Sequence, residues 1–403
     1  MTVLVSGAGP VGLSVAAFLG REGVPVTVFE QGSELSTLSQ ASTFHASTLE
    51  LLDEIDMAWP LVDTGKITQR LQYRDRKEGF VAEFDFAPMK GVTKFPIRLQ
   101  SNQTELTRLL LDETRRRYPT VDVRFGSKVL GARVTGREAV VAIRTSTPPR
   151  AGADNRTEEH RGEVVVAADG ASSAVRKSLG IEFQGSTYLT RHLMITTSYD
   201  VLAHMPELAP VTYIFDGMES MGILILKDVS RVVFILQGDE PDEDILQPAA
   251  LQARLREFLP PEEEEYPVLS ARIARLHQRV ADRYVEGPVA LAGDAAHLNH
   301  PLGGMGLNAG IHDAYALAGA VLRHLDGDDV ALELYGKERR QEALLHIIPT
   351  ADGYASAAGE SDEEACERRN RELRETAGDP AKALEYVLKA SMFDSMPKRR
   401  SVG

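Results

Sequence analysis

The sequence predicts an α/β fold with an inserted, mostly antiparallel β-sheet and a helical C-terminal segment. Residues 2–30 have the pattern of a strand, a glycine-rich turn, a helix and a second strand, and two later strands also run into glycine-containing turns. Residues 189–240 form short apolar runs separated by turn residues, without a helical pattern between them. Beyond residue 310, apolar side chains recur at helical spacing. At 403 residues, the chain is long enough for two or three structural units.

Composition and charge restrict the classes of protein to consider. With 43% hydrophobic and 26% charged residues, the chain has the composition of a globular protein, and no apolar run approaches the roughly 18 residues that span a bilayer. The net charge of −14 argues against general affinity for nucleic acid, which depends on neutralising phosphates with basic side chains. Cys366 is the only cysteine, which excludes intrachain disulfides. We therefore expect a cytoplasmic protein whose partners are small molecules, without an integral membrane segment or a nucleic-acid partner.

The first element is a β-branched run at residues 2–6, followed by "GAGPVG" (Gly7–Gly12) and the helical pattern "LSVAAFLGREG". The spacing Gly7-x-Gly9-x-x-Gly12 permits a tight turn, close approach of a diphosphate to the backbone and close packing of helix on strand. Glu30 ends the next strand, where a carboxylate can hold a ribose hydroxyl. This unit predicts Rossmann-like dinucleotide binding, and a simple strand-to-helix turn is the alternative.

Two stretches predict the inserted sheet. Residues 189–240 contain "VTYIFDG", "MGILILKD" and "RVVFILQGD", which are short strands joined by turns. Residues 70–99 are also rich in strand-forming residues, and we expect them to join the same sheet.

The segment "AADGASSAVR" ends a buried strand in Asp169-Gly170 and places Arg176 one or two helical turns later. An Asp-Gly pair is common in ordinary turns, so this segment alone does not indicate a function.

The segment "LAGDAAHLNHPLGGMGLNAG" (291–310) holds five glycines and two histidines. Its glycines leave the backbone bare, which suggests that a large group such as a nucleotide cofactor lies close to it. His297 and His300 suggest a metal site instead, but a catalytic zinc usually has three protein ligands and the sequence indicates no third. We therefore expect no metal, and we assign these histidines to helix capping or loop packing.

The C-terminal region is predicted to be helical. "GIHDAYALAGAVLRHL" (310–325) has apolar residues at helical spacing, and "GDPAKALEYVLKAS" places Asp379 as the N-cap of a later helix with Pro380 at its first position.

Together, "GAGPVG", Glu30, "AADGASSAVR" and "GDAAHLNHPLGGMGLNAGIHDAYAL" closely resemble the class A FAD-dependent aromatic hydroxylases, the para-hydroxybenzoate hydroxylase group. The resemblance covers roughly residues 1–350 and implies a Rossmann-like FAD-binding domain that carries the inserted sheet. It implies this division: FAD-binding residues 1–72, 100–182 and 275–350, substrate-binding sheet residues 73–99 and 183–274, and a helical segment at 351–403.

The resemblance also implies how FAD is held without a covalent bond. Asp294 matches the carboxylate that binds the ribityl chain, Pro301 matches the proline over the flavin, and Gln103 matches a flavin-contacting glutamine. The predicted FAD contacts are Gly7, Gly9, Pro10, Val11, Gly12, Glu30, Gln31, Gln40, Gln103, Asp169, Gly170, Gly293, Asp294, Pro301, Gly304, Gly306, Leu307 and Asn308.

One position departs from the family. In "SQASTFHASTLELL", Gln40 stands where the family has an arginine that meets the FAD diphosphate. Glutamine can donate hydrogen bonds but carries no charge, so FAD is expected to be held less tightly, or its mobile ring to favour a different position.

The activity implied by the resemblance is hydroxylation of a phenolic or heteroaromatic small molecule. FAD would be reduced by NADH or NADPH, which binds transiently, and O₂ would then form a flavin C4a-hydroperoxide that transfers hydroxyl to the ring. The sequence does not distinguish a monomer from a homodimer. The predicted substrate contacts are Thr43, His45, Tyr213, Phe215, Met218, Met221 and Pro301, although core packing explains most of these equally well. No catalytic side chain is assigned.

Three alternatives stay open at this point. A reductase or dehydrogenase of the same fold would act on an unsaturated or isoprenoid-like substrate without inserting oxygen. A flavin-dependent halogenase is disfavoured because its Trp-x-Trp-x-Ile-Pro signature is missing and Trp59 is the only tryptophan. A flavin-binding protein without catalytic activity is the third alternative.

Overall fold

The computed structural model describes residues 2–38, 40–136, 138–145, 157–217, 219–260 and 265–397. Strands and helices are numbered along these ranges. The strands are β1 (Val3–Ser6), β2 (Val26–Phe29), β3 (Thr43–Phe44), β4 (Lys66–Thr68), β5 (Arg70–Asp75), β6 (Gly79–Asp85), β7 (Arg98–Gln100), β8 (Val121–Arg124), β9 (Ser127–Thr135), β10 (Glu138–Thr145), β11 (Thr157–Gly162), β12 (Val164–Ala167), β13 (Phe183–Thr197), β14 (Val211–Phe215), β15 (Met221–Ile225), β16 (Ser230–Leu236), β17 (Val268–Ala281), β18 (Val285–Glu286), β19 (Val289–Leu291) and β20 (His297–Leu298).

The helices are α1 (Pro10–Arg21), α2 (Ala46–Asp53), α3 (Ala58–Thr64), α4 (Gln103–Arg117), α5 (Ala174–Ser178), α6 (Val201–His204), α7 (Asp242–Ile245), α8 (Pro248–Phe258), α9 (Met305–Leu325), α10 (Ala331–Glu342), α11 (Ile348–Gly359), α12 (Glu363–Gly378) and α13 (Pro380–Ala390). Short 3₁₀ turns lie at Ala87–Gly91, Gly293–Ala295 and Leu302–Gly304, and a π-helical turn lies at Ala343–Ile347.

A six-stranded sheet carries the predicted strand, turn and helix. Its strand order is β18-β19-β12-β1-β2-β8, and the five strands from β19 to β8 run parallel. Every residue of β1 and β12 is buried, which explains their continuous apolar sequences. Helix α1 packs against α4 and α9. The predicted Rossmann-like α/β arrangement is confirmed.

The inserted sheet has eight strands in the order β20-β17-β13-β16-β15-β14-β5-β6. Neighbours pair antiparallel except β14 and β5, which run parallel, so the predicted mostly antiparallel sheet is confirmed. The strands are less uniform than expected, because β13 has 15 residues and β17 has 14, and a bulge interrupts their pairing between Thr187 and Arg191. The predicted limits after residues 72 and 274 fall within β5 and β17.

Two three-stranded sheets complete the β-structure of the described ranges. One has the order β11-β10-β9, and the other has the order β3-β7-β4. The second places β3 and β7 beside the N-terminal end of α9, because Asn308 in the first turn of that helix donates to the Thr43 backbone.

The C-terminal helices pack on the inserted sheet. Asp379 accepts hydrogen bonds from the backbone N–H groups of Ala381 (2.9 Å) and Lys382 (3.2 Å), and Pro380 begins α13, as the sequence predicts. Helices α12 and α13 contact each other and β6. They thereby close one face of the sheet that the sequence assigns to the substrate.

Within the described ranges, no helix combines the length and the apolar character needed to cross a membrane.

Candidate active site

The glycine turn after β1 leaves the N-terminal end of α1 open. Gly7 has φ of 99°, and a Cβ there would lie 2.5 Å from the Ala168 carbonyl oxygen. A Cβ at Gly12 would lie 2.0 Å from the carbonyl oxygen of Gly7, so both positions require glycine for packing. A Cβ at Gly9 meets no described atom within 4 Å, and no side chain caps α1. Free space therefore adjoins a positive helix end, which suits a phosphate group.

Glu30 lies beside this turn. Its Oε2 accepts from the Ala8 N–H at 2.9 Å, and its Oε1 accepts from the Gly32 N–H at 2.8 Å. These bonds fix the carboxylate at the end of β2, next to the first glycines, while neighbouring Gln31 is exposed.

Gln103 connects the start of α4 with the segment that contains Gln40. Its Oε1 accepts from the Ala41 N–H at 3.2 Å, and its Nε2 donates to the Leu38 carbonyl at 3.4 Å. The Gln40 side chain is exposed.

A buried cation lies close to this segment. Arg231 donates from Nη1 to Ser42 Oγ at 3.1 Å and from Nη2 to Asn102 Oδ1 at 3.4 Å. Burial lowers the pKa of Arg231 to about 10, with a smaller contribution from Arg272. The guanidinium therefore stays protonated at neutral pH.

Asp169 fixes the turn after β12. Its Oδ2 accepts from the N–H groups of Ala174 (2.8 Å) and Val175 (3.3 Å), at the start of α5. Its Oδ1 is buried and has no hydrogen-bond partner among the described residues. Gly170 follows in the left-handed region, with φ of 78°. The free Oδ1 can accept one further hydrogen bond.

The turn at Gly293-Asp294 depends on Asp313, a residue that was not predicted from the sequence. Asp313 Oδ2 accepts from the Gly293 N–H and from His297 Nε2, both at 3.0 Å, and its Oδ1 accepts from Arg339 Nε at 2.8 Å. Burial alone would raise the pKa of Asp313, but Arg339 and His297 outweigh it and hold the pKa below the ordinary value. The Asp294 side chain is exposed. The sequence signal that could have identified Asp313 is an acidic residue within the apolar helical pattern "GIHDAYAL".

The two histidines of the glycine-rich segment face different surroundings. The ring of His297 is held by Asp313, whereas the ring of His300 packs edge-on against those of Tyr188 (4.8 Å between centroids) and His192 (4.9 Å). Both histidines are buried, in agreement with the expected loop packing.

Asn308 and His45 hold the loop before α9. Asn308 accepts from the His45 N–H at 2.9 Å and donates to the carbonyl oxygens of Thr43 (2.9 Å) and Gly304 (2.6 Å). His45 Nε2 donates to the Gly303 carbonyl at 2.9 Å. Burial, followed by the nearby Arg98, lowers the pKa of His45 well below its ordinary value, so the ring is neutral at neutral pH.

Internal packing explains much of the glycine content of the segment at 291–310, which the sequence analysis assigned to space for a bound group. A Cβ at Gly293 would lie 2.8 Å from the Val11 side chain, and one at Gly310 would lie 2.6 Å from it. A Cβ at Gly303 would lie 2.7 Å from the Tyr354 ring, and one at Gly304 would lie 2.9 Å from Thr43. Gly306 is less crowded, with Asn299 Oδ1 at 3.3 Å. These glycines let α1, α9 and α11 approach the loop.

A cavity of about 400 Å³ lies between the inserted sheet and the C-terminal helices. Three predicted contacts line it, namely Tyr213, Phe215 and Met221. Among the described residues, the lining includes neither Thr43 nor His45, and Leu302 contributes where Pro301 was expected. Pro301 lies on the glycine-rich loop and is exposed, whereas Leu307 lies in the first turn of α9 and is half-buried. Met218 lies outside the described residues.

Three tyrosines, which we call the tyrosine cluster, meet in this cavity: Tyr73, Tyr354 and Tyr386. The hydroxyl groups of Tyr73 and Tyr386 are 2.6 Å apart, and Tyr386 also hydrogen bonds with Tyr354. The Tyr73 ring stacks on Tyr213 and Phe215, with both centroid distances 5.6 Å. Burial raises the pKa of Tyr73 and Tyr386 well above the ordinary value, so both hydroxyls stay protonated at neutral pH.

The tyrosine cluster was not predicted from the sequence, because its members come from β5, α11 and α13. Two signals were available. Tyr354 interrupts the small-residue run "ADGYASAAG", and Tyr386 lies on the apolar face of the predicted helix "PAKALEYVLKA".

Known proteins similar to this chain share its architecture. A family model described as an FAD binding domain matches residues 1–345. Para-nitrophenol 4-monooxygenase of Pseudomonas sp. (strain WBC-3) is 28% identical over 391 residues, which are 96% of this chain and 94% of that protein. 6-Hydroxy-3-succinoylpyridine 3-monooxygenase HspB of Pseudomonas putida (strain DSM 28022 / S16) is 29% identical over 354 residues, covering 87% of this chain and 86% of that one.

Among solved structures, p-nitrophenol 4-monooxygenase PnpA from Pseudomonas putida DLL-E4 superposes with a TM-score of 0.90 at 28% identity, over 99% of each chain. The similarity thus extends beyond residue 350 and includes the C-terminal helices that close the cavity.

Proposed function

The chain belongs to the FAD binding domain family, and on this premise we propose that it hydroxylates a compact phenol or hydroxylated heteroaromatic ring. The protein is an FAD-dependent aromatic monooxygenase. The observation that carries the proposed substrate class is the cavity of about 400 Å³, in which hydroxyl groups of the tyrosine cluster meet stacked aromatic rings. Such a cavity combines an apolar wall with a few convergent polar groups, as small-molecule sites do.

The residues around the glycine turn fit FAD. The open space at Gly9 and the uncapped end of α1 suit its diphosphate, the fixed Glu30 carboxylate suits a ribose, and the buried, unbonded Oδ1 of Asp169 suits a hydroxyl donor. We assign Asp294 to the ribityl chain. The flavin ring is assigned to the end of the glycine-rich loop, at Pro301 and Gly304, and to the first turn of α9, at Gly306, Leu307 and Asn308.

We expect this FAD to be bound without a covalent link. The purified protein should be yellow, and denaturation should release the flavin into solution. A colourless protein that takes up no added FAD would refute the assignment.

Bound FAD supplies the electron transfer and oxygen activation that side chains cannot perform. The protein's own residues hold the ring and its hydroxyl group. Tyr73 and Tyr386 share a hydrogen bond, so one of the two neutral hydroxyls can donate to a phenolic oxygen, and Tyr213 and Phe215 can pack against the ring. The C-terminal helices restrict the entry of water to the reacting ring.

The size of the cavity favours a compact substrate. A volume of about 400 Å³ is near the lower end of the roughly 300–1,000 Å³ of typical ligand sites. Two similar proteins are named for p-nitrophenol and a hydroxypyridine, which are both single-ring compounds. We therefore favour a single aromatic ring over a polycyclic one.

NADH or NADPH is proposed as the transient electron donor, and O₂ as the second substrate. The chain carries one dinucleotide fingerprint, at Gly7–Gly12, which we assign to FAD. The nicotinamide nucleotide would then bind without a Rossmann domain of its own. Comparing the rates of oxidation of NADH and NADPH by the holoenzyme would identify the donor.

A substrate panel tests the proposed function. Phenols, aminophenols, hydroxypyridines and polycyclic phenols are added separately to the holoenzyme, and we expect at least one single-ring compound to accelerate oxidation of NADH or NADPH. Its product should be one oxygen atom heavier and should carry label from ¹⁸O₂. Label found only in peroxide and water across the panel would refute hydroxylation, because some ligands stimulate oxidation without reacting.

A further inference from the structure

Helix α12 forms one wall of the cavity between the inserted sheet and the C-terminal helices. Four of its residues line the cavity and recur at the spacing of a single helical face: Arg369, Glu372, Leu373 and Thr376. The guanidinium of Arg369 lies 3.9 Å from the centroid of the Phe215 ring, which lines the same cavity. The opposite face of α12 is exposed, so the helix lies between the cavity and solvent.

The attachment of α12 differs from that of the two helices beside it. Both α11 and α13 bury apolar side chains: Ile348, Ala351, Ala358, Val387 and Ala390. Among the residues of α12, all of which the structure describes, only the polar Asn370 is buried, and Leu373 is half-buried. Because packing of an apolar face supplies most of the stability of a helix in a protein, α12 is held less firmly than its neighbours.

Polar contacts with the hairpin between β5 and β6 hold α12 in place. Asn370 Nδ2 donates to Asp75 Oδ2 at 3.2 Å and to Glu78 Oε1 at 3.1 Å. Arg369 donates to Asp75 at 3.1 Å, and Arg374 donates to Glu78. We call these five residues the latch. The side chains of Arg374 and Glu78 are 45% and 37% exposed, so their ion pair is weak and water can replace it.

The exposed residues of the lining mark where the cavity reaches the surface. Pro349 and Gly353 belong to α11, Glu372 belongs to α12 and Lys389 belongs to α13. The mouth of the cavity therefore lies where the three helices meet. Of its three sides, α12 is the one attached mainly by polar contacts.

Glycines lie at the two junctions that connect α12 with its neighbours. Gly359 ends α11 and Gly378 ends α12, and a Cβ at either position would contact no described atom within 4 Å. Small residues at the ends of an element can absorb the change in backbone direction that a hinge requires. Movement of α12 therefore does not require α11 or α13 to leave the sheet.

We propose that α12 is a lid whose latch opens transiently, so that the phenol enters and leaves the cavity between α12 and the sheet. The inference rests on the proposed function, because it takes this cavity as the site of the phenol. Opening breaks mainly polar contacts that water can replace, and such regions open at low free energy. Closure returns Arg369 to the Phe215 ring and covers the bound phenol.

Hydrogen exchange of the holoenzyme, followed by mass spectrometry, tests the mobility of the lid. We expect the backbone amides of α12 to exchange at least about tenfold faster than those of α11 and α13, because α12 opens locally while its neighbours stay packed. Bound p-nitrophenol should slow the exchange of α12. The comparison of the three helices needs no ligand, so it applies whichever phenol is the substrate.

Stopped-flow binding of p-nitrophenol to the holoenzyme tests whether the lid controls entry. Asn370→Ala removes two hydrogen bonds to carboxylates, and we expect it to raise the association and dissociation rate constants together, each about tenfold, with little change in Kd. Arg374→Gln breaks a more exposed pair and should raise both about threefold. Arg70→Gln is the matched control, because it breaks an exposed pair with Glu83 (3.1 Å) on the same hairpin. It should leave both rate constants unchanged.

Three results would overturn the inference. One is exchange in wild-type α12 that is no faster than in α11. Another is faster exchange of α12 in the variants with unchanged rate constants, which would place the entry route elsewhere. The third is a higher Kd with an unchanged association rate, which would mean that the latch only shapes the site. If Asn370→Ala does not fold, Arg374→Gln carries the test. Incorporation of ¹⁸O into a phenol of the panel is a separate measurement, so the proposed function can hold while this inference fails.

Discussion

The glycine turn and the tyrosine cluster form two sides of the candidate active site and differ in how the chain builds them. At the turn, Glu30 bonds to Ala8, 22 residues earlier. In the cluster, Tyr73 meets Tyr386 across 313 residues. The turn is set by a local motif within one strand–helix–strand unit, whereas the cluster exists only when sheet and C-terminal helices have packed. We therefore expect that substitutions in the cluster change hydroxylation without changing FAD binding, and that substitutions on the FAD side change FAD binding.

The largest effect that is confined to one side is expected at the tyrosine cluster. Tyr386→Phe removes a hydroxyl that lies 2.6 Å from that of Tyr73, and hydroxylation of a phenol should slow about 100-fold because a positioned proton donor is lost. Affinity for FAD should not change. Steady-state kinetics and FAD titration measure both, and Tyr213→Phe, which keeps a stacked ring in the cavity, is the control. A parallel loss of FAD binding in Tyr386→Phe would contradict the separation.

The converse effect, weaker FAD binding, is expected at the Gly293-Asp294 turn, which we assign to the FAD side of the site. Asp294→Ala should weaken FAD binding roughly ten- to a hundredfold, since a charge-assisted hydrogen bond contributes about 1.5–3 kcal/mol. Asp169→Ala should weaken it less and should mainly lower the free energy of unfolding by about 1 kcal/mol, because Asp169 accepts from two N–H groups at the start of α5. FAD titration of both apoproteins and urea unfolding separate the effects. Unchanged FAD affinity in Asp294→Ala would refute its assignment to the ribityl chain.

An intermediate effect is expected where the segment at 291–310 meets the inserted sheet, at the contact between His300 and His192. Burial lowers the pKa of His300 on the loop to about 4 and, with His300 as a smaller second cause, that of His192 on β13 to about 3. Between pH 6.5 and 4 the unfolded chain takes up protons that the folded histidines do not, so stability falls as pH falls. The slope is about 1.4 kcal/mol per pH unit for each histidine.

Urea unfolding between pH 4.5 and 7 measures this slope. His300→Asn should make the slope shallower by the contribution of one histidine, about 1.4 kcal/mol per pH unit. His346→Asn, at a more exposed position, is the control. An unchanged slope in His300→Asn would show that His300 is already protonated in the folded protein.

The smallest effect is expected from Gln40→Arg. A cation there should tighten FAD binding a few-fold, because an exposed charge pair contributes about 0.2–1 kcal/mol. The gain should shrink as salt screens the charge, so FAD titration at two ionic strengths is the measurement. Gln184→Arg, on the inserted sheet, controls for a general change in charge. No gain at low salt would indicate that Arg231, which contacts Ser42, already supplies the charge.

The same contrast explains which parts could be predicted from the sequence. The turn at Gly7, the parallel sheet and the Asp379 cap follow from short-range patterns, in which spacing fixes geometry. The antiparallel character of the inserted sheet was also predictable, because alternating strands and turns identify it. The limits after residues 72 and 274 cut β5 and β17, since a continuous strand gives no local signal where one region passes into another.

The parts that were missed depend on contacts between distant residues. Asp313 and Tyr386 each resemble ordinary helix residues until tertiary packing supplies their partners. The glycines at 303 and 304 were recognised, but part of their explanation lies in Tyr354 and Thr43, which only the folded chain brings near.

The order of strands in the parallel sheet also affects how the protein is made. Strand β1 leaves the ribosome long before its neighbour β12, which begins at Val164, yet the two pair in the middle of the sheet. At about 5–20 residues per second, β1 waits roughly 8–32 s for β12 to be synthesised. β12 in turn presents an open edge until β19 arrives at Val289. The nascent chain therefore carries strand edges without their sheet neighbours until β19 has been synthesised, and such edges favour aggregation.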